Sequence, residues 1–108
     1  MSSFNTYWGY EKIKRILIGT SPRVHFCGAG GVGIYSLVRL SHERGFLVSA
    51  SDRARGEYTE MLEKAGIRVS YSADRAAVCT AALVVYSLAV DERDEELLYA
   101  RTLGIPTV

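Results

Sequence analysis

The run Phe26-Cys27-Gly28-Ala29-Gly30-Gly31-Val32-Gly33 sets three glycines at GxGxxG spacing between an apolar stretch and an amphipathic one. That is the pattern of a strand, a phosphate-cradling turn and a helix. Gly28 permits the tight turn, Gly30 lets backbone approach a pyrophosphate, and Gly33 lets the helix close on the strand. Gly31 is an additional glycine. The helix that follows points free N–H groups and its positive dipole end at the turn, so a nucleotide diphosphate can be held there without a lysine. The same run occurs in unrelated nucleotide-binding enzymes, and a glycine turn can also serve packing alone. It narrows the ligand class without fixing its identity.

The rest of the chain repeats the alternation that the turn begins. Val24 to Cys27 reads as the first strand, and Ile34, Leu37, Val38 and Ser41 trace one face of a helix that closes at Arg44-Gly45. Phe46 to Ala50 is a second strand. Tyr58, Met61, Leu62 and Ala65 form a second helical stripe, ended by Gly66. Ile67 to Tyr71 alternates apolar and polar residues, as a half-exposed edge strand does. Asp74 caps a short helix reaching Cys79, and Ala82 to Tyr86 is continuously apolar, as a buried parallel strand is. The acids of Asp91 to Glu96 complement the N-terminus of a last helix carrying Leu97, Leu98 and Leu103. Gly104 stops that helix, and Ile105 to Val108 begins a further strand. The expected fold is therefore α/β, a Rossmann-like three-layer domain with a five-stranded parallel sheet in the order 3-2-1-4-5 and right-handed crossovers. Ligand belongs at the carboxyl ends of its strands. Residues 1–22 form a lead-in segment whose Tyr10, Ile13, Ile16 and Leu17 lie at helical spacing, and residues 23–108 form the domain. Ending inside an apparent strand, the domain reads as the front of a longer chain.

Composition excludes several functions. At 108 residues the chain has room for one domain, and a net charge of +1 with interspersed signs leaves no basic stripe for nucleic acid. No apolar stretch approaches the roughly 20 residues of a membrane span, and no signal pattern opens the chain, so the cytoplasm is the expected compartment. Cys27 and Cys79 lack metal-ligand spacing and read as reduced thiols. His25, Cys27 and His42 can be drawn as a metal site, but ligand number and surrounding support are lacking, so none is expected.

Asp52 ends the second strand about twenty residues past the turn, where a Rossmann carboxylate accepts hydrogen bonds from ribose; the alternative is that it only caps the following turn. Ser87 ends the fourth strand and faces the same crevice. There is no GxxxxGK[ST] loop for ATP and no placed nucleophile, so the segment by itself lacks catalytic machinery.

Taken in order, His25 to Gly33, Val48-Ser49-Ala50-Ser51-Asp52, Val84-Val85-Tyr86-Ser87-Leu88-Ala89-Val90 and Leu103-Gly104-Ile105-Pro106 resemble the N-terminal domain of the Mur ligases. The branch most similar joins L-alanine to UDP-N-acetylmuramic acid. The resemblance covers about residues 23–108. It implies that Gly30, Gly31, Val32 and Gly33 face the diphosphate, that Ser51 and Asp52 lie by the uridine, and that Ser87 lines the same pocket. It also implies that UDP-N-acetylmuramic acid is the partner, that the segment holds no cofactor, and that ATP and Mg2+ bind a central domain beyond it, with a third domain for the amino acid. Ile34-Tyr35, Ala50, Ala73 and Leu88 depart from the family's usual residues. They leave open a relative that binds nucleotide without turnover, and the glycine turn with Asp52 leaves open an NAD-binding oxidoreductase module or redox sensor.

Overall fold

The computed structural model describes residues 22–108, so the expected helix over 10–17 lies outside the described residues. Strands β1 (Arg23–Cys27), β2 (Leu47–Ser51), β3 (Arg68–Ser70) and β4 (Leu83–Tyr86) alternate with helices α1 (Val32–Glu43), α2 (Glu57–Lys64), α3 (Arg75–Cys79) and α4 (Glu95–Thr102). The strands pair in parallel in the order β3-β2-β1-β4.

Side-chain alternation along β1 divides the core. Val24 and Phe26 point to one face, where they pack with Ile34 and Val38 of α1 and Leu62 of α2. Cys27 points to the other, where it meets Val78 of α3, Val84 of β4, and Leu97 and Ala100 of α4. Helices thus cover both faces, as a parallel sheet requires, and the expected three layers are present. Phe26, Leu62, Leu97 and Val84 are fully buried, and such apolar side chains contribute about 1.5 to 3 kcal/mol each on leaving water.

The sheet differs from expectation at one edge. Residues 105–108 do not form a fifth strand; they make one isolated parallel bridge, Val84 to Thr107. Three backbone hydrogen bonds join this segment to β4, Val84 N–H to Pro106 O, Tyr86 N–H to Val108 O and Val108 N–H to Val84 O. Pro106 has no N–H to offer, and a single bridge is too short to count as a strand. β3 is the opposite edge and is partly exposed, in line with its alternating sequence.

Candidate functional site

A cleft of about 480 Å³ opens at the carboxyl ends of the strands, where the order reverses between β1 and β4. Cys27 at the end of β1 and Gly28 after it, Ser51 at the end of β2 and Asp52 after it, and Ser87 after β4 border it. The strand ends are tied together there. Gly28 and Ala29 N–H both donate to Ser51 O, at 2.9 and 3.0 Å, and Ser87 N–H donates to Cys27 O at 3.2 Å.

The glycine turn owes its shape to two close approaches. Gly28 has φ +75°, and a methyl group on it would sit 2.5 Å from Ser87 Oγ and 2.7 Å from Val90 Cγ2. A methyl group on Gly30 would sit 2.7 Å from Asp52 Oδ2. That carboxylate oxygen accepts the Gly30 N–H at 2.7 Å, while Oδ1 accepts Ala54 N–H at 3.1 Å. Asp52 therefore braces the glycine turn and caps its own turn, with further lone pairs left for a ligand. The expectation for Gly33 needs correction. Nothing lies within 4 Å of a methyl group placed there, so its lack of a side chain is not needed for helix and strand to close.

Among the sequence-predicted residues, Gly28, Gly31, Ser51, Asp52 and Ser87 line the cleft. Gly30 lies just behind the lining, held by Asp52. Val32, 65 % exposed, and Gly33 occupy the first turn of α1 outside it. Gly31 is the N-cap of α1 and offers no side-chain cap, so the first N–H groups of this 12-residue helix keep no intrahelical partner. Tyr35 lies away from the lining: its ring packs at 5.0 Å against Tyr58, and its hydroxyl accepts from Arg39 at 3.0 Å. The departure from family pattern at this position is absorbed by core and helix surface.

Beneath the cleft lies a network centred on Glu96, in the first turn of α4 and 4 % exposed. Its Oε1 accepts Ser51 Oγ–H at 2.5 Å and Cys27 Sγ–H at 3.2 Å. Its Oε2 accepts Asp74 N–H at 2.8 Å and lies 3.1 Å from His25 Nε2. His25 is oriented from its other side by Ser49, with Nδ1 2.7 Å from Oγ. One carboxylate thus joins β1, β2, the start of α3 and α4. Burial by itself would raise the Glu96 pKa, but hydrogen bonds from His25 and Ser51, the His25 charge and the Asp74 N–H outweigh it and hold the group down at about 2.

The ligating atoms of His25, Cys27 and Glu96 fall within 4.8 Å of one another. Glu96, not the sequence-predicted His42, completes the group; His42 borders a second hollow, with Arg23 and Leu47 at the strand starts, so it faces the other end of the sheet. Four donors already occupy the Glu96 oxygens, which makes the cluster a closed hydrogen-bond network. Sequence reasoning took Glu96 as one of several acids complementing a helix end. The available signal was its position four residues before Ala100, on the buried face of α4.

The cysteines differ sharply. Burial above all, followed by the Glu96 charge and hydrogen bond, pushes the Cys27 thiol far up, whereas Cys79 is exposed. At neutral pH a thiol reagent is expected to label one cysteine of the folded chain, Cys79, with Cys27 reacting only in denaturant. Peptide mass spectrometry distinguishes them, and rapid Cys27 labelling would contradict the buried network.

Residues 23–108 match the family model described as Mur ligase family, catalytic domain. Over 82 residues the chain is 42% identical to the UDP-N-acetylmuramate--L-alanine ligase of Campylobacter jejuni, an alignment covering 76% of this chain and 19% of that protein. It is 39% identical over 85 residues to the enzyme of the same name from Leptothrix cholodnii, covering 79% and 18%. The UDP-N-acetylmuramate-alanine ligase of Thermotoga maritima superposes with a TM-score of 0.74 at 27% identity, over 80% of this chain and 20% of that one. The chain spans about a fifth of the length of these relatives. With residues 23–108 matched by the family model and 42% identity to one of its ligases over 76% of the chain, the chain belongs to the Mur ligase family.

Proposed function

We propose that this chain is the domain that holds UDP-N-acetylmuramic acid in an ATP-dependent ligase joining L-alanine to that substrate during peptidoglycan precursor synthesis in the cytoplasm. The observation that carries the reading is the glycine turn itself: an uncapped α1 N-terminus opening beside a cleft at the strand-order switch, in a chain 42% identical to such a ligase. Helix N–H groups and the turn supply anion binding without a lysine. Asp52 and Ser51 stand at the end of β2 for the uridine, and Ser87 closes the far side. The diphosphate is assigned to the turn and helix start of Gly30, Gly31, Val32 and Gly33, with Gly31 at the cleft lining and the Gly30 N–H held by Asp52. ATP with Mg2+, and the amino acid, belong to other domains of the ligase, which are this domain's partners. The domain's contribution to turnover is binding: a held nucleotide handle supplies remote binding energy that positions a distant carboxylate. No helix among the described residues is long and apolar enough to cross a membrane.

Calorimetric titration of the 108-residue chain with UDP-N-acetylmuramic acid, UDP and NAD in parallel tests the reading. Saturable binding of the two uridine ligands, with none of NAD, is expected. Binding of NAD alone would replace the reading with a dinucleotide-binding module.

A further inference from the structure

We propose that Arg53 is the ligand-pairing cation of the cleft, the side chain that closes on the phosphate of a bound uridine nucleotide. The inference rests on the nucleotide reading above. Five carboxylates border the cleft, those of Asp52, Asp91, Asp94, Glu95 and Glu96, against the single cation of Arg53. Each of the five already accepts at least one hydrogen bond or ion pair. Asp52 accepts from Gly30 and Ala54 N–H, and Asp91 accepts Arg93 N–H at 2.7 Å with the Arg93 guanidinium at 3.6 Å. Asp94 caps α4, Glu95 pairs with Arg75 at 3.2 Å, and Glu96 is saturated beneath the floor.

Arg53 differs from its neighbours. Arg39, Arg55, Arg68, Arg75 and Arg93 each stand within 4.0 Å of a carboxylate; among the described residues Arg23, Arg44, Arg53 and Arg101 have no ion pair, and of these four Arg53, exposed on the turn after β2, is the one that lines the cleft. A dianionic ligand entering a cleft edged by carboxylates meets repulsion that the helix N-terminus offsets only in part. Arg53 supplies the missing charge from the right place. It follows Asp52, whose carboxylate touches the glycine turn, and it borders the same cleft as Gly28 and Gly31 of that turn. Its planar fork pairs with phosphate oxygens in bidentate fashion, which a lysine at the same position reproduces only as a point charge.

The test is calorimetry with UDP and with uridine on the unmodified 108-residue chain, Arg53→Ala and Arg53→Lys, at low and high salt, with circular dichroism melting to confirm folding. Arg53→Ala is expected to weaken UDP about tenfold, to leave uridine affinity unchanged and to flatten the salt dependence of UDP binding, while Arg53→Lys recovers part of each. Equal UDP affinity in the unmodified chain and Arg53→Ala, or equal losses for UDP and uridine, would overturn the role of Arg53 while leaving the nucleotide reading intact. A lack of UDP binding by the unmodified chain would remove both.

Discussion

Replacing Glu96 with alanine is expected to lower the stability of the chain by about 3 to 5 kcal/mol, the range for uncovering the partners of a buried charge. Against a domain total of about 5 to 15 kcal/mol this is a large fraction, and the melting temperature should fall by more than about 10 °C. The physical cause is the loss of the one acceptor shared by Ser51, Cys27, His25 and the Asp74 N–H. Hydroxyl and thiol can rotate toward other acceptors, but a backbone N–H cannot. Glu96→Gln separates the two contributions. Its amide oxygen can take the Asp74 and His25 side while its NH₂ faces Ser51 and Cys27, whose oxygen and sulfur accept, so the loss should be smaller than for alanine.

The same carboxylate fixes an acid limb of stability. Its folded pKa of about 2 lies below the ordinary 4.5, so the unfolded state binds a proton more readily. The contribution of Glu96 is fully present above 4.5 and is lost as pH falls from there toward about 2. Asp74 is shifted in the same direction: burial opposes the shift, but the Ala77 N–H, Ser70 and Arg68 prevail, and it adds to this limb. Urea midpoints measured from neutral pH down to 2 should therefore decline below about 4.5 in the unmodified chain and decline less in Glu96→Gln. Identical pH profiles for the two proteins would show that Glu96 is not held as an ion in the fold.

The second large effect is expected at Gly30. A methyl group there would lie 2.7 Å from Asp52 Oδ2 and 3.5 Å from Thr59 Cγ2, so the branched side chain of Gly30→Val must expel the carboxylate that braces the turn. Uridine nucleotide affinity should fall by about 100-fold, near 2.7 kcal/mol. Melting temperature should fall as well, because Asp52 loses its bond to the turn. Gly33→Ala is the control. With open space at that position inside α1, alanine should leave the fold intact and raise stability by up to about 1 kcal/mol. Calorimetry on the two variants decides the matter, and unchanged UDP affinity in Gly30→Val would place the ligand away from the turn.

How much of this was legible beforehand varies by element. The apolar run before Gly28 and the stripe of Ile34 and Val38 after it marked β1 and α1, since burial on a parallel sheet demands those patterns. The cap at Asp74 was equally local, a short side chain accepting the N–H of Ala77 three residues on, whereas Asp94 was legible only as one of several acids at a helix start. The last strand was overread, because an apolar stretch resembles a strand whether or not enough partners align with it.

By itself the sequence determined the αβ alternation, the parallel sheet and the glycine turn, along with the family, because periodicity and turn chemistry act over a few residues. Only the tertiary structure decided that Asp52 braces Gly30, that Gly33 is free of packing, that Tyr35 leaves the cleft, and that Glu96 gathers His25, Cys27 and Ser51. Those contacts join residues from 22 to 71 positions apart, and what a carboxylate does depends on the donors that chain folding brings to it.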